Sequence, residues 1–217
     1  MTKMTDILTN PDQFFSELSQ RDVNLKTPFA IVMVSAIIGA IYAMMMFRVV
    51  ISSLPEEIAV IFSAFATIST ISNLITPFIS WVLGAAIFYA VSMLFKGDGS
   101  FVRVFEFVGY GFIPTIIATV VGLVTTMTMM PAIGFPLDNP ELMHQTMMQH
   151  IVRYGPVITI SVIIQFLLVL WSVVIRIFAV KHARNIGTGH AIITVLAVPA
   201  AFFLLWCILL ICIIAAA

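Results

Sequence analysis

Two groupings of side chains in this sequence carry chemistry that has to be weighed first. His144 and His150 flank Met147 and Met148, with Met127, Met129 and Met130 a short way upstream. Thioether sulfur with imidazole nitrogen is a soft ligand set of copper type. The six-residue interval between the two histidines, however, does not put both rings on one helical face. Thirteen methionines in so apolar a chain also cluster by chance, so neither a metal nor a cofactor is expected. The second grouping is basic: Arg176, Lys181 and Arg184. Each would attract anionic lipid headgroups by about 1 kcal/mol near a membrane surface, and the plainer alternative is that they only set topology. The sequence contains no His-Glu-x-x-His, no glycine-rich loop before Lys-Ser or Lys-Thr, and no Gly-x-Ser-x-Gly elbow. Nor does an ionisable residue fall in the middle of an apolar block, where intramembrane enzymes and ion-coupled transporters keep one. The chain is expected not to be an enzyme.

The elements that would position these residues are set by composition. Hydrophobic residues make up 61% of the 217 and charged residues 9%, against roughly 25% charged in an ordinary globular domain. The apolar residues come in blocks of about 20, the length that crosses about 30 Å of hydrocarbon. The expected fold is all-α: a polytopic membrane helical bundle of five transmembrane helices plus short amphipathic interfacial helices. Residues 1–27 form a polar lead-in, in which Asn10 and Pro11 read as a helix start and Phe14, Phe15 and Leu18 share one face. That helix lies either on the membrane surface or against the bundle. The domain from 28 to 217 follows, with spans at about 28–47, 74–95, 107–130, 156–175 and 190–214.

Between Ile58 and Phe95 there is no charge, and Pro77 is expected to divide this stretch. Its first part, about 55–73, carries Ser63, Thr67, Ser69 and Thr70 and reads as interfacial or half-inserted. Lys96-Gly97-Asp98-Gly99-Ser100 makes a turn with Ser100 as the next helix cap. Beyond it Phe101, Val104, Phe105 and Val108 lie on one face, with Arg103 and Glu106 away from them. Gly109, Gly111 and Pro114 predict a bend early in the third span. A long loop follows from Met130 to Arg153, with a short helix from Pro140 to His150, and Gly187 and Gly189 make the last turn.

Cytoplasmic loops collect Lys and Arg, which orients the chain. With five spans and the N-terminus inside, Lys3, Arg21, Lys26, Lys96, Arg103, Arg176, Lys181 and Arg184 are inside, and only Arg48 and Arg153 are outside. A further crossing at 58–73 would make the split six to four. The expected placement is a prokaryotic cell membrane, N-terminus cytoplasmic and C-terminus outside.

Three short elements carry a resemblance: Asn10-Pro11 through Phe14-Phe15, then Lys96-Gly97-Asp98-Gly99-Ser100-Phe101, then Gly109-Tyr110-Gly111-Phe112-Ile113-Pro114. The chain resembles the Yip1 domain family of five-span membrane proteins, the last element matching the family's Gly-Tyr-x-x-x-Pro through Gly109, Tyr110 and Pro114. The main expectation for function is a non-enzymatic scaffold or adaptor of that type, one that recruits partners or shapes the membrane. Eukaryotic members resemble Golgi and endoplasmic reticulum traffic proteins that bind Rab GTPases through a longer N-terminus with an Asp-Leu-Tyr-Gly-Pro type motif. No such motif exists here, which argues against Rab binding and for a prokaryotic member. The expected cytoplasmic docking face comprises Phe14, Phe15, Lys96, Arg103, Arg176, Lys181 and Arg184. Expected partners are the lipid bilayer, anionic lipids, and a second copy or another membrane protein. A net charge of zero without a basic run excludes nucleic acid. The competing expectation is a channel or small-solute transporter, which polar groups lining a continuous path would favour.

Overall fold

The computed structural model describes residues 5–52, 54–129 and 140–216. Lys3, Met130, Pro131, Pro136 and Asp138 lie outside the described residues. What is described is helical, with no strand: α1 (Asp6–Thr9), α2 (Pro11–Ser19), α3 (Lys26–Ser52), α4 (Glu56–Met93), α5 (Phe101–Tyr110), α6 (Ile113–Met129), α7 (Pro140–Arg184) and α8 (Thr188–Ala216). Five helical stretches are long and apolar enough to cross a membrane, α5 and α6 together making the third. The chain is therefore a five-span, all-helical membrane protein.

Two expectations about helix boundaries are corrected. Pro77 does not divide α4, which runs unbroken from Glu56 to Met93. The short helix from Pro140 and the span from Pro156 are likewise one helix, α7, with Pro156 inside it. A proline removes one backbone hydrogen bond, and in an apolar helix of this length the remaining bonds hold because lipid offers the backbone no alternative partner. Where a bend is expected near Pro114, the helix is interrupted. α5 ends at Tyr110, α6 starts at Ile113, and Pro114 occupies the first turn of α6, where its missing N–H costs nothing.

The chain forms two compact units. Unit 1 is Met1–Ala30, Ser80–Gly111 and Ser172–Ala217, and unit 2 is Ile31–Ile79 with Phe112–Trp171. Within unit 2 the small-residue face of α3 meets α4. Ala36, Ala40 and Ala43 are buried, and a Cβ on Gly39 would lie 3.5 Å from Asn73 Oδ1. Small side chains here allow close backbone approach, the usual means of association where lipid removes the hydrophobic drive. Elsewhere in unit 2, Thr125 of α6 and Ser161 of α7 share a hydrogen bond at 2.7 Å, and Gln165 Nε2 donates to Ser161 Oγ at 3.1 Å. Unit 1 has an aromatic core of Phe15, Trp81, Phe107 and Tyr110, all buried.

Candidate functional site: the polar end of unit 1

In unit 1 the ends of α4 and α7 clasp one another. α4 closes with Lys96 in the left-handed conformation (φ 57°) and Gly97 N–H bonded to Ser92 O, and α7 closes with Asn185 (φ 51°) and Ile186 N–H bonded to Lys181 O. Both are Schellman closures, in which the backbone turns back to satisfy carbonyls a helix end would otherwise leave free. Asp98 N–H then donates to Arg184 O at 3.2 Å, and Asn185 Nδ2 donates to Asp98 Oδ1 at 2.8 Å. Arg184 is 2% exposed. Its Nε donates to Ser92 Oγ at 2.9 Å, its Nη2 donates to Gly97 O, and its guanidinium lies 4.4 Å from the centre of the Tyr89 ring. A positive group at two converging helix C-termini is also favoured by their dipoles.

The clasp accounts for the glycines of the Lys96–Ser100 turn. A Cβ on Gly99 would sit 1.7 Å from Ala183 O, and one on Gly97 3.0 Å from Arg184 Nε. Ser100 then caps α5 by accepting from Arg103 N–H, as its position in the sequence implies. α5 is amphipathic, as its spacing implies, but its acidic residue does not face outward. Glu106, expected on a polar side, is 0% exposed, accepting from Asn24 N–H at 3.0 Å and pairing with Arg103 Nη1 at 2.9 Å. Arg103 also donates to Arg21 O. The Arg103 and Glu106 pair thus ties the segment after α2 to α5.

A latch holds α2 itself. Asn10 caps it by accepting from Gln13 N–H, with Pro11 as first residue. Phe14 and Phe15 are not surface groups: Phe14 meets Tyr110 at 5.5 Å and Phe15 meets Phe107 at 5.0 Å between ring centres. Between the two readings of this helix, packing against the protein is the one observed. Asp12 on its outer side pairs with Lys181 Nζ and His182 Nε2, each at 2.6 Å. Hydrogen bonds from Lys181 first, then His182, hold the Asp12 carboxyl below its usual range.

The Gly-Tyr-x-x-x-Pro element is a packing site. A Cβ on Gly109 would lie 2.5 Å from Pro28 Cβ and 3.0 Å from Trp81 Nε1, and one on Gly111 would lie 2.8 Å from Arg176 Cγ. Trp81 Nε1 donates to Phe105 O at 2.7 Å and its ring stacks on Phe105, while Ser172 Oγ donates to Gly111 O at 2.8 Å. Of the expected docking residues, Phe14, Phe15 and Arg184 are thus buried, Arg103 and Lys181 are paired, Arg176 packs over Gly111, and Lys96 is exposed. Sequence reasoning missed Asp12, Ser92 and Glu106 as structural partners. Only the three-residue spacing of Arg103 and Glu106 was a readable signal.

Among the described residues no cluster of three His, Cys, Asp or Glu side chains could hold a metal ion. His150 instead lies 5.2 Å from the Tyr154 ring, and Cys207 is a free thiol. A cavity of about 610 Å³ opens beside the N-terminal segment, between α2, residues 21–27 and α5.

Comparison with known proteins agrees with this architecture. A Yip1 domain family model matches residues 5–210. An uncharacterized protein of Methanocaldococcus jannaschii is 35% identical over 121 residues, 56% of this chain and 86% of that protein. This archaeal relative supports a prokaryotic member. No solved structure matches. With nearly its whole length covered by the family model, the chain belongs to the Yip1 domain family.

Proposed function

We propose that this protein is a non-enzymatic membrane scaffold or adaptor, recruiting a partner or shaping the bilayer through the polar end of unit 1. One observation carries the reading: three separate chain segments, α2, the Lys96–Ser100 turn and the end of α7, are fastened together there by Asp12 and by Arg184. Fixed geometry outside the apolar spans is what a docking surface needs, because ordering loops at the moment of binding costs affinity. The docking residues are then the exposed Lys96, Gln20 and Arg21, and the fastened residues position them. This end faces the cytoplasm of a prokaryotic cell, with the C-terminus outside.

Photocrosslinkers placed at Lys96 and Gln20 in native membranes test the reading. A discrete crosslinked partner protein or lipid at both positions, with the Gln20 crosslink lost in Lys96→Glu, is the expected result. Unchanged crosslinks in that variant, together with a solute flux in liposomes of the purified protein, would reject it. The competing transport reading draws its support from the hydroxyl and amide groups of Thr125, Ser161 and Gln165 within the spans of unit 2. Such groups also serve as interhelical glue, and all three bond to one another or to their own helices.

A further inference from the structure

The cavity beside the N-terminal segment has chemistry that neither the clasp nor the latch consumes. Phe14 and Tyr110 supply its apolar wall, and Arg21, Asp22, Lys26 and Glu106 supply charge. Glu106 is already committed, to Arg103 and to Asn24 N–H. Asp22 and Lys26 differ: both are exposed, and neither side chain forms a hydrogen bond or ion pair with the other or with any other described residue. The wall therefore carries a positive and a negative group that do not neutralise each other, with Arg21 adding a second positive charge. Its complement is a ligand with an anionic and a cationic group a short distance apart. The position narrows the choice further. Lys26 is the first residue of α3, the first membrane-length helix, so the cavity lies where the chain passes from water into the headgroup layer.

We propose that this cavity binds the zwitterionic headgroup of an aminophospholipid, with phosphate on Lys26 and ammonium toward Asp22. The lipid tails remain in the bilayer beside α3. The site stands whether or not a partner protein is recruited.

The test uses the purified full-length protein in detergent, with native mass spectrometry of retained lipid. Phosphatidylethanolamine and phosphatidylglycerol are supplied in equal amounts, with free phosphoethanolamine as a third arm. The wild type is expected to retain phosphatidylethanolamine several-fold over phosphatidylglycerol. Asp22→Asn should bring the ratio to about one, and Lys26→Gln should lower retention of both lipids. Because both side chains are exposed, thermal unfolding of the variants should match the wild type, which separates lost binding from lost fold. Equal retention of the two lipids by the wild type, or an unchanged ratio in Asp22→Asn, overturns the proposal. Displacement of the lipid by free phosphoethanolamine at comparable concentration also overturns it, assigning the cavity to a soluble zwitterion.

Discussion

A buried guanidinium that forms no ion pair among the described residues is the most consequential side chain in unit 1. Arg184 satisfies Gly97 O and Ser92 Oγ and lies against the Tyr89 ring. Hydrogen bonds involving a charged group contribute about 1.5–3 kcal/mol, and leaving a buried acceptor unpaired costs a similar amount. Arg184→Met, which keeps the bulk and removes the donors, should therefore destabilise the folded protein by about 2–3 kcal/mol in denaturant unfolding. Arg184→Lys should recover only part of this, since one ammonium lacks the fork that reaches two acceptors in different directions. The glycines give a sharper contrast. Gly99→Ala drives a methyl into the Ala183 carbonyl, whereas Gly187→Ala meets nothing within 4 Å. The first should lower stability by more than about 2 kcal/mol and the second by less than about 1 kcal/mol. Equal effects would show that the clasp does not depend on close approach at Gly99. Sequence reading placed Arg184 in a basic patch because its role depends on Ser92, a partner 92 residues away, and one-dimensional spacing carries no such contact.

At the scale of elements, the helix starts were legible and the joins between helices were not. Asn10-Pro11 and Ser100 act as the caps their types imply, because capping is settled within one turn. Pro77 and Pro156 have the local character of helix boundaries yet sit inside helices, since a membrane environment overrides their local preference. The burial of Phe14 and Phe15 was open in the sequence because an amphipathic helix looks the same whether lipid or protein covers it. The α2 latch has a testable pH dependence. The Asp12 carboxyl is held below its usual 3.8 in the folded protein, so its contribution is present above that value and lost as the pH falls through the lowered one. Hydrogen-exchange protection at Phe14 to Leu18 should stay constant from pH 8 to pH 5 and fall only below about pH 4. Asp12→Asn should show reduced protection already at neutral pH. A drop between pH 7 and pH 5 would mean that a group other than Asp12 controls the latch.

For the molecule as a whole, helix continuity constrains how many times the chain crosses the bilayer. A separate crossing at 58–73 would need a reversal of direction near Pro77, and α4 is a single helix there. At 1.5 Å per residue its 38 residues extend about 57 Å, well beyond a hydrocarbon layer of about 30 Å, so it crosses once, with length to spare. The five-span layout was readable from apolar blocks and basic residues because both follow from transfer into lipid, which acts on composition more than on packing. Orientation is the part that accessibility can decide. With Cys207 and Cys212 replaced by alanine, single cysteines at the exposed positions Gln20, Glu57 and Thr188 sample the segment before α3 and the first turns of α4 and α8. A membrane-impermeant thiol reagent should label Glu57→Cys in intact cells, and Gln20→Cys and Thr188→Cys only after permeabilisation. The reverse pattern would keep the span count and invert the orientation, moving the clasp and the headgroup cavity to the outer face. Labelling that places Gln20 and Thr188 on opposite sides would require an odd number of crossings between them, which four continuous apolar stretches cannot provide, and would overturn the five-span arrangement itself.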